Sequence, residues 1–474
     1  MVTITSAMLD GIEAIPIQVE ASITKGIPET KIIGNIPIED AQATATRVKF
    51  SIVEAGFKFP DDKKIIVNLG PTSIKKDGPG FDLAIAVAIL VETQQIPANN
   101  IENYIFIGEL SLYGHVRESH GILAFEKLAR TQNKTLVCAE STPYPSNKSK
   151  KIEYLKELRA SVVTLPNFEK EPIQDTTEIP DFKDILGYEQ VKRAITISIA
   201  GHHPILFISS DMGMTKSIAY RIPSIMPKLA PKDEELVKII RSIAHKDTND
   251  IKSMGNIFRN PNYNMLEREL IYSDDPLLPG EVTFAHKGIL YLEEIERFET
   301  SKLEKIKKIY ENKEVTITST TKTYHFPADF MLIASAKPCP CGHYGDTQHY
   351  CSCIPQILKA YQERLAKPLR NTFEMSVNIP AHSNETKRSA TSTDMALDII
   401  RAKQFAEARN RKNENNEYLS ESARNVLASY SRRLKLTQIQ QDNVLLIART
   451  IADIELRKNI MSSHIIEALN YRPY

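Results

Sequence analysis

PILFISSDMGMTKSIAYRI, residues Pro204–Ile222, carries the main signal for the fold. PILFIS (Pro204–Ser209) is a short, unbroken apolar run, the pattern of a strand buried on both faces. It leads through SDMGMTKS (Ser210–Ser217) into a helix-like segment. A phosphate-binding loop needs this strand–loop–helix order. Its glycines bring backbone N–H groups onto the phosphates, its Lys reaches the outer phosphates and its hydroxyl ligates Mg²⁺. Lys216 and Ser217 occupy the last two positions, whereas Ser210 and Thr215 stand where the two signature glycines belong. Thr215 is β-branched and tolerates unusual backbone angles poorly, so Gly213 is left to make the turn in a shifted register. Two further apolar runs follow. GILYLEE (Gly288–Glu294) reads as a strand ending in Glu293 and Glu294, carboxylates placed to hold Mg²⁺ and polarise an attacking water. FMLIASAKP (Phe330–Pro338) reads as a neighbouring strand whose end, at Lys337, faces the outermost phosphate. Three such strand ends in this order predict an α/β nucleotide-binding module.

Upstream, residues 1–168 alternate short strands with helices. IIVNLG (Ile65–Gly70), YIFIGEL (Tyr104–Leu110) and TLVCAE (Thr135–Glu140) read as strands. FDLAIAVAILVET (Phe81–Thr93) and ILAFEKLART (Ile122–Thr131) read as helices, giving a further α/β domain. The acidic, proline-containing EKEPIQDTTEIP, within 169–180, reads as a linker. The nucleotide module is expected over 181–382, opening on DFKDILGYEQVKRAITISIAG, where Asp184 is predicted to cap a helix. A Cys-rich insertion lies at 338–354, and 383–474 read as a helical domain. The chain of 474 residues is 42% apolar and 25% charged, which excludes collagen, mucin and wholesale disorder. No apolar run approaches the roughly 20 residues of a membrane span, and the N-terminus lacks the basic flank of a signal peptide. A cytoplasmic location is expected. The net charge of +1 names no partner. Residues 401–474 hold 13 Lys/Arg against 8 Asp/Glu, a surplus of +5 that suits nucleic acid or a solvated helical face.

Several stretches together resemble the ComM/YifB family of magnesium-chelatase-like AAA+ proteins. They are VNLGPTSIKKDGPGFDLAIA (Val67–Ala86), DILGYEQVKRAI (Asp184–Ile195), PGEVTFAHKGILYLEEIERF (Pro279–Phe298), EVTITSTTKTYHFPADF (Glu314–Phe330), KPCPCGHYGD (Lys337–Asp346), IARTIADIE (Ile447–Glu455) and HIIEALNYR (His464–Arg472). The resemblance implies a Lon-protease-like N-terminal domain, an AAA+ P-loop module and a C-terminal helical lid. It also implies ATP and Mg²⁺ as ligands, a homo-oligomeric, hexameric ring and DNA branch migration or unwinding in natural transformation. Position by position, several family features are altered. The phosphate loop keeps only Lys216–Ser217, and the acidic pair is Glu293–Glu294 in place of Asp-Glu. Lys337 replaces the sensor Asn, and an ammonium cannot accept a proton from water. LRNTFE (Leu369–Glu374) puts Thr372 at the position of the trans-acting arginine, with Arg370 two residues away. Glu294 matches the catalytic base and Arg449 the lid arginine. An arginine finger alone is worth about 10³–10⁵ in rate, so impaired hydrolysis is expected.

KKDGPG (Lys75–Gly80) and GELSLYGHVRESHGIL (Gly108–Leu123) resemble the segments that carry the Lon nucleophile and lysine. Gly80 stands at the nucleophile and Leu123 at or near the lysine, so no Ser-Lys protease chemistry is expected. Gly78 and Gly80 are taken to serve backbone geometry. Cys339, Cys341, Cys351 and Cys353 form a CPC-x9-CSC pattern, two chelating thiolate pairs that suit a structural Cys₄ zinc site. His343 and His349 lie inside the loop as alternative ligands. Glu314–Pro327 alternates as a hairpin, and Lys322 near its tip reads either as a DNA phosphate contact or as a solvated residue. Two functional readings follow: a ring protein acting on DNA with impaired ATP hydrolysis, or a non-catalytic scaffold assembling with an intact paralogue. A magnesium-chelatase motor subunit is disfavoured by the Lon-like N-terminal domain.

Overall fold

A computed structural model describes residues 2–76, 80–142, 146, 148–169, 179–243, 257–274, 277–318, 323–346, 349–365, 367–381, 389–411 and 419–473. The chain forms two compact units. The first comprises Met1–Gln174 together with Glu235–Lys252 and Ile317–His325, and the second Asp175–Glu234, Ser253–Thr316 and Phe326–Tyr474. Both are mixed α/β.

In the first unit a seven-stranded sheet runs in the order β3-β4-β2-β1-β5-β8-β9. Its strands are β1 (Val2–Asp10), β2 (Glu13–Thr24), β3 (Glu29–Ile33), β4 (Lys64–Gly70), β5 (Tyr104–Phe106), β8 (Thr135–Ala139) and β9 (Lys150–Ile152). β2 pairs antiparallel with β1 and β4, while β5, β8 and β9 are joined in parallel. Helix α1 (Ile38–Glu54) covers α2 (Asp82–Glu92), which packs on β1 and β2. α2 is buried from Asp82 to Val91, as a helix apolar on every side must be. Its one buried charge, Asp82, is held by Arg47 (Nε–Oδ2 2.7 Å) and by the N–H of Leu110. α3 (Ile122–Thr131) lies against β2 and β8.

Two expectations fail here. YIFIGEL is not one strand: β5 ends at Phe106, and β6 (Glu109–Leu110) pairs with β7 (Val116–Arg117) in a separate two-stranded sheet. The break falls at Gly108, where a Cβ would lie 2.7 Å from Val116 Cγ1, so the backbone passes too close for a side chain. Gly80, in contrast, has no left-handed φ, and a Cβ there would meet only Ser119 Oγ at 3.9 Å. Backbone geometry therefore does not demand glycine at position 80, and Gly78 lies outside the described residues.

The second unit is built on a five-stranded parallel sheet, β11-β14-β17-β10-β18. These are β10 (Ile205–Ser209), β11 (Phe258–Arg259), β14 (Ile289–Leu292), β17 (Met331–Ala336) and β18 (Met375–Ile379). Numbered along the chain, the sheet order is 5-1-4-3-2. β12 (Tyr272–Asp274) pairs with β13 (Leu277–Pro279); β15 (Glu314–Thr318) pairs with β16 (Thr323–Pro327), and the Ile317–His325 part of that pair groups with the first unit. β10, β14 and β17 are buried throughout, which explains their unbroken apolar sequences. The longer helices of the second unit are α4 (Glu189–Gly201), α5 (Met212–Ala219), α7 (Thr300–Asn312), α8 (Pro355–Arg364) and a C-terminal set, while α6 (Pro231–Ile243) groups from Glu235 onward with the first unit. That set is α9 (Ser392–Arg411), α10 (Glu421–Leu434), α11 (Gln438–Ile454) and α12 (Ser462–Asn470). α9 and α11 pack on α4, and their Ile399, Ile447 and Ile451 share one core with Ile195 and Ile333. Asp184 does not cap α4. It closes a short 3₁₀ turn capped by Asp181, whose carboxylate accepts from the Lys183 N–H at 2.7 Å, and α4 is entered through Tyr188 at φ 60°. Among the described residues no helix is long and apolar enough to cross a membrane.

Candidate functional site

Because every strand of the second sheet runs the same way, the carboxyl ends of β10, β14 and β17 open on one edge, where α/β folds bind ligands. That topology brings Lys216 and Lys337, distant in sequence, to the adjacent pair Glu293–Glu294. Lys216 Nζ lies 3.1 Å from Glu293 Oε2, and Lys337 Nζ lies 2.8 Å from Glu294 Oε1. Glu293 also accepts from Asn260 Nδ2 at 3.1 Å, and Glu294 from Arg297 Nη1 at 2.8 Å. The Glu293 carboxylate raises the Lys216 ammonium above its ordinary value. The hydrogen bond from Lys337, with Arg297 behind it, holds the Glu294 carboxyl below the usual carboxylate range. Glu294 itself sits in the left-handed region (φ 51°, ψ 57°), its N–H directed to Ser335 Oγ, which is tied to the buried Tyr291 hydroxyl at 2.8 Å. Two adjacent carboxylates are thus each matched to a lysine.

The loop between β10 and α5 differs from the sequence expectation. Only Ser210 and Asp211 separate the strand from the helix, and α5 begins at Met212. Gly213 is therefore a residue of the first helical turn, without the positive φ of a turn glycine. Thr215 is buried inside the helix, and its hydroxyl donates to the Asp211 carbonyl at 2.8 Å. Asp211 is the N-cap: its carboxylate accepts from the Met214 N–H at 2.9 Å. A helix N-terminus is where backbone N–H groups and the helix dipole attract an anion, and here the chain supplies its own carboxylate. Ser217 keeps its position, but its hydroxyl accepts from Arg221 Nη1 at 2.7 Å, so a guanidinium stands beside the expected Mg²⁺ ligand. The helical loop, its acidic cap and this arginine do not fit a wrapped triphosphate with Mg²⁺.

The remaining sequence candidates lie elsewhere. Arg449 is bound within α11 and its C-terminal turn: Nε donates to Asp453 Oδ1 at 3.1 Å, Nη1 to the Lys458 carbonyl and Nη2 to that of Arg457. Arg409 shares Asp453 at 3.1 Å. Thr372 Oγ1 is buried without a hydrogen-bond partner, and Arg370 is exposed. Lys322 lies outside the described residues. Sequence reasoning missed Asp211, Arg221, Asn260 and Arg297. Only Asp211 had a local signal, as an N-capping residue type directly before a helix.

The cysteines do converge. The Sγ atoms of Cys339, Cys341, Cys351 and Cys353 lie within 4.8 Å of one another. Three of the separations are 3.3 Å (Cys339–Cys341), 3.7 Å (Cys339–Cys351) and 3.6 Å (Cys341–Cys351). A tetrahedral ion with Zn–S bonds of about 2.3 Å has S···S edges of about 3.8 Å, so the cluster fits zinc. The Tyr344 N–H points at Cys339 Sγ at 3.3 Å, and the His343 N–H lowers the Cys341 thiol, whereas burial and the neighbouring sulfurs raise those of Cys351 and Cys353.

Comparison with known proteins agrees with this architecture. The profile described as "Magnesium chelatase, subunit ChlI" matches residues 181–387. "Subunit ChlI of Mg-chelatase" matches 19–142, and "Magnesium chelatase, subunit ChlI C-terminal" matches 389–472. The chain is 30% identical to the uncharacterized protein YifB of Salmonella typhimurium, covering 98% of this chain and 95% of that protein. It is 27% identical to competence protein ComM of Haemophilus influenzae with the same coverage. It is also 27% identical to an uncharacterized Mycobacterium tuberculosis protein over 79% of this chain and 76% of that one.

Proposed function

Since the chain belongs to the ComM/YifB family of magnesium-chelatase-like proteins, we propose that it is a ring-forming AAA+ protein that acts on DNA without turning over ATP. One observation carries this reading: Lys216 and Lys337 neutralise Glu293 and Glu294, the carboxylates that would otherwise hold Mg²⁺ and polarise water. A base already hydrogen-bonded to two cations is a poor proton acceptor. The acidic cap at Asp211 supports the same conclusion by opposing a phosphate. In this reading residues 1–168 are a Lon-like domain without protease chemistry and 169–180 a linker. Residues 181–382 are the AAA+ module and 383–474 the lid, in a cytoplasmic hexamer. Zn²⁺ held by the four cysteines is structural, because four thiolates leave no open coordination position.

The test pairs ATP turnover with binding to a four-way DNA junction. Junction binding without turnover, unstimulated by DNA and unchanged by Glu294→Gln, is expected. DNA-stimulated turnover abolished by Glu294→Gln would overturn the reading. The same ion pairs serve a second role, a scaffold within a ring formed with an intact paralogue. No DNA binding alone, but restored binding on mixing with a catalytically intact relative, would identify that role.

A further inference from the structure

The Cys-rich insertion carries a second set of donor atoms that the thiolates do not use. His343, Asp346 and His349 lie between the two cysteine pairs with the spacing H-x2-D-x2-H. Their ligand atoms lie within 4.8 Å of one another. Both rings turn Nδ1 to the same carboxylate oxygen, Asp346 Oδ2, at 3.2 Å for His349 and 3.6 Å for His343. The ring centroids are 5.1 Å apart. The Asp346 side chain is only 5% exposed, while those of His343 and His349 are 42% and 64% exposed.

Hydrogen bonding accounts for only part of this arrangement: His349 Nδ1 and Asp346 Oδ2 are hydrogen-bonded at 3.2 Å. Nδ1 of His343 is buried and finds no hydrogen-bond partner, and 3.6 Å to Asp346 is too long to be one. Both separations, 3.2 and 3.6 Å, also match a metal's coordination shell. With bonds of about 2.0–2.2 Å to nitrogen and oxygen, neighbouring ligand atoms of a tetrahedral ion stand about 3.4 Å apart. Two imidazoles and one carboxylate are also a donor set for borderline divalent ions.

We propose that His343, Asp346 and His349 form a second divalent-metal site in the insertion, separate from the cysteine cluster and taking an ion of the Zn²⁺ class. Three protein ligands leave the fourth position open on the exposed side, next to His349. The thiolate cluster is closed by four ligands and holds its ion tightly, whereas the open site exchanges. The inference rests on the Cys₄ zinc reading only in that the N–H bonds of His343 and Tyr344 to the cysteines fix where the loop begins.

The test is a cobalt titration of the full-length chain, prepared anaerobically and freed of metal. One equivalent is expected to give intense thiolate-to-cobalt charge transfer. A second should give only weak visible absorption and be removed by a mild chelator that leaves the first. His343→Ala with His349→Ala should abolish the second equivalent and leave the charge-transfer band unchanged. Asp346→Asn, which preserves the shape of the loop, should weaken the second site at least tenfold. A charge-transfer equivalent with no second equivalent in the wild type would overturn the proposal. Loss of the charge-transfer band in the histidine variant would overturn it too, by showing that the histidines ligate the same ion. A weak-absorbing equivalent without any charge transfer would instead refute the thiolate site and leave this one standing.

Discussion

At the scale of single residues, the cap on α5 decides whether a phosphate is welcome. Asp211→Asn keeps a good N-cap but removes the negative charge from the positive end of the helix. Binding of a fluorescent ATP analogue should tighten about fivefold, on the order of 1 kcal/mol. Equal affinities would show that the cap is not the obstacle. Restoring the family glycines is expected to do less. Thr215 lies within a helix, so Ser210→Gly with Thr215→Gly should lower the melting temperature, at a cost of about 1 kcal/mol for the helical glycine. A second residue gives the protein an acid limit. His286 is buried, and its Nδ1 accepts from the Asp329 N–H at 3.0 Å, so the ring must be neutral. Burial first, then Lys287, lowers its pKa to about 4. A depressed folded-state pKa contributes stability that is complete above about 6.5 and lost as pH falls through 4, because the unfolded chain takes a proton that the folded chain refuses. The loss should be on the order of 2–3 kcal/mol. His286→Asn, which retains an acceptor at that place, should flatten urea-denaturation stability over that window. An unchanged slope would assign the acid sensitivity to other groups.

At the scale of elements, α11 and the Cys-rich insertion hold residues whose family roles and local bonding diverge. Arg449 ties the end of α11 to the carbonyls of Arg457 and Lys458 and helps neutralise Asp453, whose side chain is 7% exposed. Arg449→Ala strips two C-terminal carbonyls of their donor and leaves Asp453 with Arg409 alone, which should cost about 2 kcal/mol. Chemical denaturation measures this, and nucleotide binding should not change; the reverse pattern would restore the lid role. The insertion connects β17 to α8, and the Tyr361 hydroxyl of α8 donates to the Lys337 carbonyl at 3.0 Å. Cys339→Ser with Cys341→Ser should abolish the tightly held zinc and open residues 338–354 to protease. Metal analysis and limited digestion check both outcomes, and zinc retained by the double variant would remove the cysteines from the site.

At the scale of the whole molecule, the proposed ring, with Glu293 and Glu294 paired to lysines at its nucleotide site, should assemble through protein contacts alone. Native mass measurement should therefore give the same oligomer with and without ATP and Mg²⁺, since a weakly held ligand shifts the assembly equilibrium little. Nucleotide-driven growth from monomer to ring would show that the sites bind after all. Two segments that group with the first unit, 235–252 and 317–325, come from much later in the chain. A fragment ending at residue 169 lacks them. It is expected to be less stable than the same unit within the full chain, because Gly121 loses the Ser242 carbonyl to which its N–H donates at 2.9 Å.

The sequence by itself determined the periodicities and their order. PILFIS, GILYLEE and FMLIASA are apolar throughout because a parallel strand covered on both faces admits no polar alternation, and each became a strand within a residue or three of its expected ends. It also determined which residues stand just after those strands, and that four of the five cysteines fall in one short loop. Tertiary structure decided what those residues do. The partners of Glu293 and Glu294 lie 77 and 43 positions away in the chain, at Lys216 and Lys337, and no local pattern announces a pairing across a sheet edge. The same holds for the hydroxyl of Ser217, claimed by Arg221 one helical turn on, and for the two histidines meeting over Asp346. Whether SDMGMTKS became a phosphate loop or a helix was settled by Asp211. Its carboxylate satisfies an N–H that would otherwise face a phosphate, and with that donor bonded the helix starts at Met212, well before Lys216.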